Sequence, residues 1–411
     1  MQTTPRRRRR ITVPAALTAA GAVVAAGLTG CAAEPDPGTL TVLNSATDTR
    51  EHNANQEFFE RCAEPLGLEV EQISVPADQV ASKALRMASS DSLPDILELD
   101  GSELPQFAET DGLRPLDELG VDMSGFSDGA VAMGSFDGTP YGIARSVNSL
   151  ALIYNVDMLA EAGLEPPETW DELESAAAAL TQGSTYGMAF SASPNADGVY
   201  QFLPFFWSAG GDESRLGDGA GAPALQLWKD LVDAGSASQS VVNWNQQDVN
   251  DQFLAGRAAM MINGPWQVPV LSEQDDVDWA VASIPVPEAG GDPVPPIGGT
   301  VMTIPKGDPE REANAAEVLN CLNSEENQLA WGERVNNVPT RADAAQEYRE
   351  AHPKLAAFAD LVTTARSRTA LVGTGWPVVE NALAGAFQSV LTGQSSPEQA
   401  LQRAQRQAAG E

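Results

Sequence analysis

Pro94-Asp95-Ile96-Leu97-Glu98-Leu99-Asp100 is a short, mostly apolar run that ends in a carboxylate and is followed by Gly101. It reads as a buried strand whose last residue stands at the sheet edge. Working upstream, residues 39–43 (Thr-Leu-Thr-Val-Leu) and 68–73 (Leu-Glu-Val-Glu-Gln-Ile) read as two further strands. Asp48 with Glu51 three residues on reads as a helix N-terminal cap. The helix that follows carries Phe58, Phe59 and Cys62 on one face and stops at Pro65 and Gly67. A second helix over 78–89 places Val80, Ala84, Met87 and Ala88 on its apolar side. Strands alternating with helices at this spacing predict parallel βαβ units and an α/β class.

Downstream the texture changes. Residues 150–155 read as a strand, and Thr169-Trp170-Asp171-Glu172 as a capping box opening an Ala-rich helix that Gly183 closes. Residues 184–219 read as loop-rich, with Phe190, Tyr200, Phe202, Phe205, Phe206 and Trp207 scattered through them. Helices are predicted over 222–234 and 249–254 and strands over 258–263 and 301–304. Between those strands, residues 284–299 hold five prolines and four glycines and no periodicity, the mark of a crossing segment. Asp308-Pro309 starts a helix through Cys321, and the tail reads as helical over 353–368, 378–391 and 397–407.

The N-terminus reads differently again. Arg6 to Arg10, an apolar run from Ile11 to Leu28, and Leu28-Thr29-Gly30-Cys31 make a secretory signal over 1–30. The cysteine at the cut resembles a bacterial lipobox, in which Cys31 would carry the lipid that anchors the chain outside the membrane. An uncleaved spanning helix and a secreted protein with a coincidental cysteine are the competing readings. Residues 31–38 form a short linker.

Residues 1–30 hold five of the 24 basic residues and no acidic one, which leaves 19 basic against 57 acidic residues, a formal charge of −38. That balance excludes nucleic acid and anionic lipid headgroups as partners, since both demand basic patches. The 411 residues exceed what one hydrophobic core accommodates, so two domains are expected. Cys62 and Cys321 remain beside Cys31; in an oxidising compartment they suggest one disulfide, with two separate buried thiols as the alternative.

Enzymatic apparatus is missing from the sequence. His52 and His352 are the only histidines, and no HExxH, GxSxG or Walker A motif occurs. Residues 217–222 mimic a dinucleotide fingerprint, but no strand precedes them and Asp212, Glu213 and Asp218 would repel phosphate. Asp275, Asp276 and Asp278 read as a solvated turn, so no metal or cofactor is expected. With 57 acids, a carboxylate pair for glycoside hydrolysis stays open as a second reading.

Several stretches together resemble the lipid-anchored solute-binding proteins of ABC importers, in the extracellular family 1 group that includes maltose-binding protein. They are Tyr141-Gly142-Ile143-Ala144-Arg145 with Leu152-Ile153-Tyr154-Asn155, Trp170-Asp171-Glu172-Leu173, and Phe253-Leu254-Ala255-Gly256-Arg257-Ala258-Ala259-Met260 with Ile262-Asn263-Gly264-Pro265-Trp266. Gly298-Gly299 and Pro339-Thr340-Arg341 add to them.

The resemblance implies a two-lobe, hinged α/β fold, each lobe a mostly parallel sheet flanked by helices. The chain would cross between lobes at 144–149, 285–298 and 338–343. Lobe one would be 39–144 with 298–340, and lobe two 145–297 with 341–411. It implies a monomeric receptor that binds a sugar or oligosaccharide between the lobes and delivers it, unchanged, to membrane permease subunits. The expected binding residues are Asp48, Glu51 and Asp100 from lobe one, Arg145 and Asn148 at the first crossing, Tyr200, Gln201, Trp207, Trp266 and Trp376 from lobe two, and the backbone of Gly298 and Gly299. Leu99 stands where maltose-binding protein has a cleft tryptophan. Under this topology Cys62 and Cys321 both fall on lobe-one helices and are expected to be bonded.

Overall fold

The computed structural model describes residues 38–410 except Asp48, Asp91 and Asp275, so the signal peptide, the lipidation site at Cys31 and the expected binding residue Asp48 lie outside the described residues. The chain builds two lobes, each around its own sheet. The first sheet runs, in spatial order, Glu69–Ser74, Thr39–Asn44, Ile96–Asp100, Thr300–Thr303, Gly142–Ile143. Its first three strands are parallel, and Thr300–Thr303 runs antiparallel to both neighbours.

The parallel part is made by helices that bury one face against the sheet. Thr49–Ala63 buries Ala54, Asn55, Phe58, Phe59 and Cys62. It passes into a short 3-10 turn that ends at Gly67, which takes the left-handed conformation (φ 72°) that costs a glycine little. Asp95 fixes the entry to the third strand. Its carboxylate accepts from the Thr41 amide at 2.6 Å and from Arg311 Nε and Nη2 at 2.7 and 2.6 Å. Cys62 is joined to Cys321 on helix Pro309–Leu322, with Cα atoms 5.6 Å apart.

The second sheet runs Trp279–Ala282, Ala151–Asn155, Ala258–Asn263, Tyr186–Ala189. Ala151–Asn155 is antiparallel to both neighbours, and the last two strands are parallel. Helix Trp170–Leu180 carries the expected capping box, with Thr169 and Glu172 each bonding the other's backbone. The helix stops at Leu180, one turn short of Gly183.

Residues 184–219 are not a loop. They hold strand Tyr186–Ala189 and helix Ala196–Ser208. Every residue from Gly198 to Trp207 is buried, so the helix has no polar face and therefore no 3.6-residue contrast to read. Pro204 lies inside it and signals a break that does not occur. Its aromatics belong to one core with Phe190, Trp228 and Phe387: Phe190 and Phe202 lie 4.3 and 5.0 Å from the Trp228 ring, and Phe387 6.0 Å from it.

The tail departs from expectation too. Of the stretch expected to be helical over 353–368, helix is limited to Ala356–Val362 after a 3-10 turn and residues 363–372 run irregularly, while the two later tail helices form as Trp376–Leu391 and Pro397–Ala408. The irregular run carries Arg366 to the crossing region, where its amide and carbonyl bond Pro295 and Ile297 at 2.9 Å. The three expected crossings lie side by side. Ser146–Val147 pairs with Val338–Pro339, and Asn148 exchanges two backbone bonds with Gly298 at 2.9 Å.

Candidate functional site

Strand ends and helix starts from both sheets surround a cavity of about 720 Å³, within the ~300–1,000 Å³ span typical of ligand sites. Asp100 ends the strand Ile96–Asp100, where open α/β sheets present ligands. Ser102 fixes its orientation by donating to Asp100 Oδ1 from both amide (2.8 Å) and hydroxyl (2.6 Å). Glu103 stands beside it. The opposite wall carries Tyr200 from helix Ala196–Ser208 and Trp266 just past strand Ala258–Asn263, while Trp376, which starts helix Trp376–Leu391 at the cavity's edge, is only 1% exposed and packs in the core of the second lobe.

Local sequence explains why Trp266 stands there. Asn263 is fully buried; it donates to Gln246 O at 2.9 Å and accepts from the Gly264 amide at 3.0 Å. A side chain at Gly264 would meet the Trp266 ring at 2.0 Å, so only glycine lets the indole fold back over the chain. At the floor, a Cβ on Gly298 would come within 2.1 Å of the Tyr200 hydroxyl and 2.4 Å of Asn148 Oδ1. That hydroxyl donates to Asn148 Oδ1 at 3.2 Å, and Tyr200 and Trp266 lie 6.3 Å apart between ring centres.

Charge is concentrated in the same space. Arg368, only 8% exposed, donates from Nη2 to Asp100 Oδ1 at 2.8 Å and lies 5.3 Å over the Tyr200 ring. Burial works against its charge, but Asp100 above all outweighs burial and its pKa is raised. Burial, reinforced by Asp100, pushes Glu103 up to about 7. Burial also raises Glu380, whose carboxylate accepts from Trp376 Nε1 at 3.2 Å, and Asp197.

A second, smaller chamber of about 150 Å³ shares Asn148, Gly299 and Thr300 with the cavity and is lined by Ser45, Glu51, Glu98, Arg145 and Trp331. Arg145 is 5% exposed. Its Nη2 donates to Asn55 Oδ1 at 2.5 Å, and its guanidinium lies 3.7 Å over the Trp331 ring. Burial lowers its pKa to about 10 against the opposing pull of Glu98 and Glu51.

Thus Asp100, Asn148, Tyr200, Trp266, Gly298, Gly299 and Trp376 meet in one cavity, whereas Glu51 and Arg145 face the smaller chamber. Gln201 and Trp207 reach neither cavity. Gln201 is fully buried and its Oε1 accepts from the Ser191 amide at 2.6 Å. Trp207 Nε1 donates to the buried Glu213 at 2.9 Å, which in turn pairs with Arg366. Helix Ala196–Ser208 is buried from Gly198 to Trp207, so the neighbours of Tyr200 point into the core.

Glu103, Asp197, Arg368 and Glu380 are cavity residues that sequence reasoning passed over. Two had a readable signal: Glu103 lies three residues after Asp100, and Glu380 one helical turn after Trp376. Arg368 had none, because the tail was read as helix. Aromatic faces on one wall and carboxylates on both suit a ligand with apolar C–H faces and a rim of hydrogen-bonding groups. Among the described residues no group of three His, Cys, Asp or Glu side chains is placed to hold a metal ion.

The family described as "Bacterial extracellular solute-binding protein" matches residues 57–359. The galactooligosaccharide-binding protein of Bacillus subtilis is 27% identical over 338 residues, covering 77% of each chain. A receptor of Streptomyces glaucescens, solved unliganded and with acarbose, superposes with a TM-score of 0.76 at 26% identity over 91% of this chain and 98% of its own. The cyclic alpha-maltosyl-1,6-maltose binding protein of Arthrobacter globiformis superposes with a TM-score of 0.80 at 23% identity, over 91% of this chain and 99% of its own, a likeness of fold.

Proposed function

The chain belongs to the bacterial extracellular solute-binding proteins, and from that premise we propose that it is the sugar receptor of an ABC importer. It takes a sugar or oligosaccharide between its lobes and hands it, chemically unchanged, to permease subunits. Lobe one is assigned to 39–144 and 298–340, and lobe two to 145–297 and 341–411. Cys31 carries the lipid that holds the receptor on the outer face of the cell membrane. Its support is the Leu28-Thr29-Gly30-Cys31 motif.

One observation carries the reading: Tyr200 and Trp266 stand across one cavity from the Asp100–Glu103 edge, so a ligand there touches both lobes at once. A ligand that contacts both lobes favours the arrangement in which they meet. The relatives named above bind sugars or sugar analogues, which supports the ligand class.

Thermal unfolding against a panel of mono- and oligosaccharides tests the proposal. A cognate sugar at 100 times its dissociation constant adds about 2.7 kcal/mol of stability, and chromatography recovers it intact. A panel without any stabilising sugar contradicts the receptor reading, and a sugar recovered cleaved contradicts the non-enzymatic one.

A further inference from the structure

We propose that the ligand of this cavity is a cationic sugar: an amino sugar with a free amine, or an oligosaccharide containing one. The inference rests on the sugar-receptor reading and narrows its substrate class. Asp100 and Glu103 face the cavity from the first lobe, and Asp197 and Glu380 from the second. Among the described lining residues Arg368 is the only Lys or Arg, and it is already bonded to Asp100. Three carboxylates are left without a cationic partner of their own.

The hydrogen-bond inventory points the same way. The Ser102 hydroxyl, the Tyr200 hydroxyl, the Trp376 indole N–H and one Arg368 N–H are spent on protein acceptors. Gln106, Asn148, Gln246, Thr300 and Trp266 also line the cavity and keep donors of their own, but they are neutral, so the uncompensated charge toward the cavity is that of the carboxylates. A neutral hydroxyl both donates and accepts, so it gains from donors as much as from acceptors. An ammonium is donor-only, with three N–H groups, and matches ionised carboxylates, which only accept. A closing ligand also strips water from these carboxylates. That desolvation is costly for anions that gain no opposite charge, and an ammonium supplies one. The exposed part of Trp266 gives the cation a further attractive face. The upward shifts of Glu103, Glu380 and Asp197 through burial agree with a cavity that lacks a positive charge.

The experiment is calorimetric titration of the whole protein at pH 7 with sugars that differ only by amine for hydroxyl. The pairs are glucosamine against glucose and the β-1,4 disaccharide of glucosamine against cellobiose, with the N-acetylated disaccharide as a neutral amide control. The amine member should bind about tenfold tighter or more, the scale of a hydrogen bond to a charged group. The double substitution Glu103→Gln with Glu380→Gln should bring the ratio toward one; if it does not fold, Glu103→Gln alone carries the same readout. Equal or tighter binding of the neutral member overturns the inference. So does a wider thermal panel in which only neutral sugars stabilise the protein, and that result leaves the receptor reading standing. If sugars of neither kind stabilise it, both fall.

Discussion

Two buried guanidinium groups lie on either side of Asn148 and Gly299, and they do different things. Arg145 is enclosed: Asn55 takes one N–H, Trp331 covers its face, and Glu98 and Glu51 supply the opposite charge. The space beside it is about 150 Å³, a few water molecules. Arg368 is as deeply buried, yet it stands in the wall of a cavity nearly five times larger, beside carboxylates that outnumber it. Composition alone does not separate an internal pin from a ligand-facing group. What separates them is the space in front of them and the charge around it: Arg145 keeps a buried Nη1 without a hydrogen-bond partner among the described residues beside a small chamber, whereas Arg368 is bonded to Asp100 in the wall of a large one.

Substitution should therefore split the two. Arg145→Met removes the positive charge near the buried Glu98, the bond to Asn55 and the stacking on Trp331, and should cost about 1–3 kcal/mol of stability. Chemical denaturation should record that loss, whereas a stability change below ~1 kcal/mol would make Arg145 a ligand residue after all. Trp266→Ala should do the reverse. Removing a binding aromatic costs ~2 kcal/mol or more, over tenfold in affinity, with the folded protein retained. Calorimetry with the cognate sugar checks it, and unchanged affinity would take Trp266 out of the site.

Arg368→Gln sharpens the contrast further. One partner, Asp100, is 43% exposed in its side chain, so the pair is softened by water and its loss should cost only about 1–2 kcal/mol of stability. Preference for amine over neutral sugar should rise in this variant, because the carboxylates lose their only nearby cation. A lowered preference would contradict the charge argument.

The smallest effect concerns pH. Glu103 is raised from an ordinary 4.5 to about 7, with Asp100, Arg368 and Glu380 facing it. The folded state thus holds a proton that the unfolded chain releases, so stability falls as pH rises from about 4.5 to about 7 and levels above. Glu103→Gln should flatten that fall by about 1 kcal/mol after solvent screening. Denaturation midpoints across pH 4 to 8 measure it; an identical slope in the variant would place the proton elsewhere.

What could be read without coordinates follows the same division. The first lobe was legible because each element agrees with its neighbours: Thr39–Asn44, Glu69–Ser74 and Ile96–Asp100 alternate with helices whose apolar faces repeat every three or four residues. Trp266 was legible because Asn263-Gly264-Pro265-Trp266 carries the family resemblance in one contiguous stretch. Helix Ala196–Ser208 was not, since a helix buried on all sides erases the period that would reveal it. Its Asn195 cap, which accepts from the Asp197 and Gly198 amides, was the remaining clue. Arg368 was hidden for another reason: its place depends on an irregular segment held by Pro295 and Ile297, contacts far away in sequence.

The most direct test of the two-walled site is a crystal structure of the protein with the sugar that the thermal panel selects. The predicted complex has one ring against Trp266, polar contacts from Asp100 or Glu103 on one side, and contacts from Arg368 or Glu380 on the other. A sugar held by one lobe alone, or seated in the small chamber around Arg145, would contradict the account.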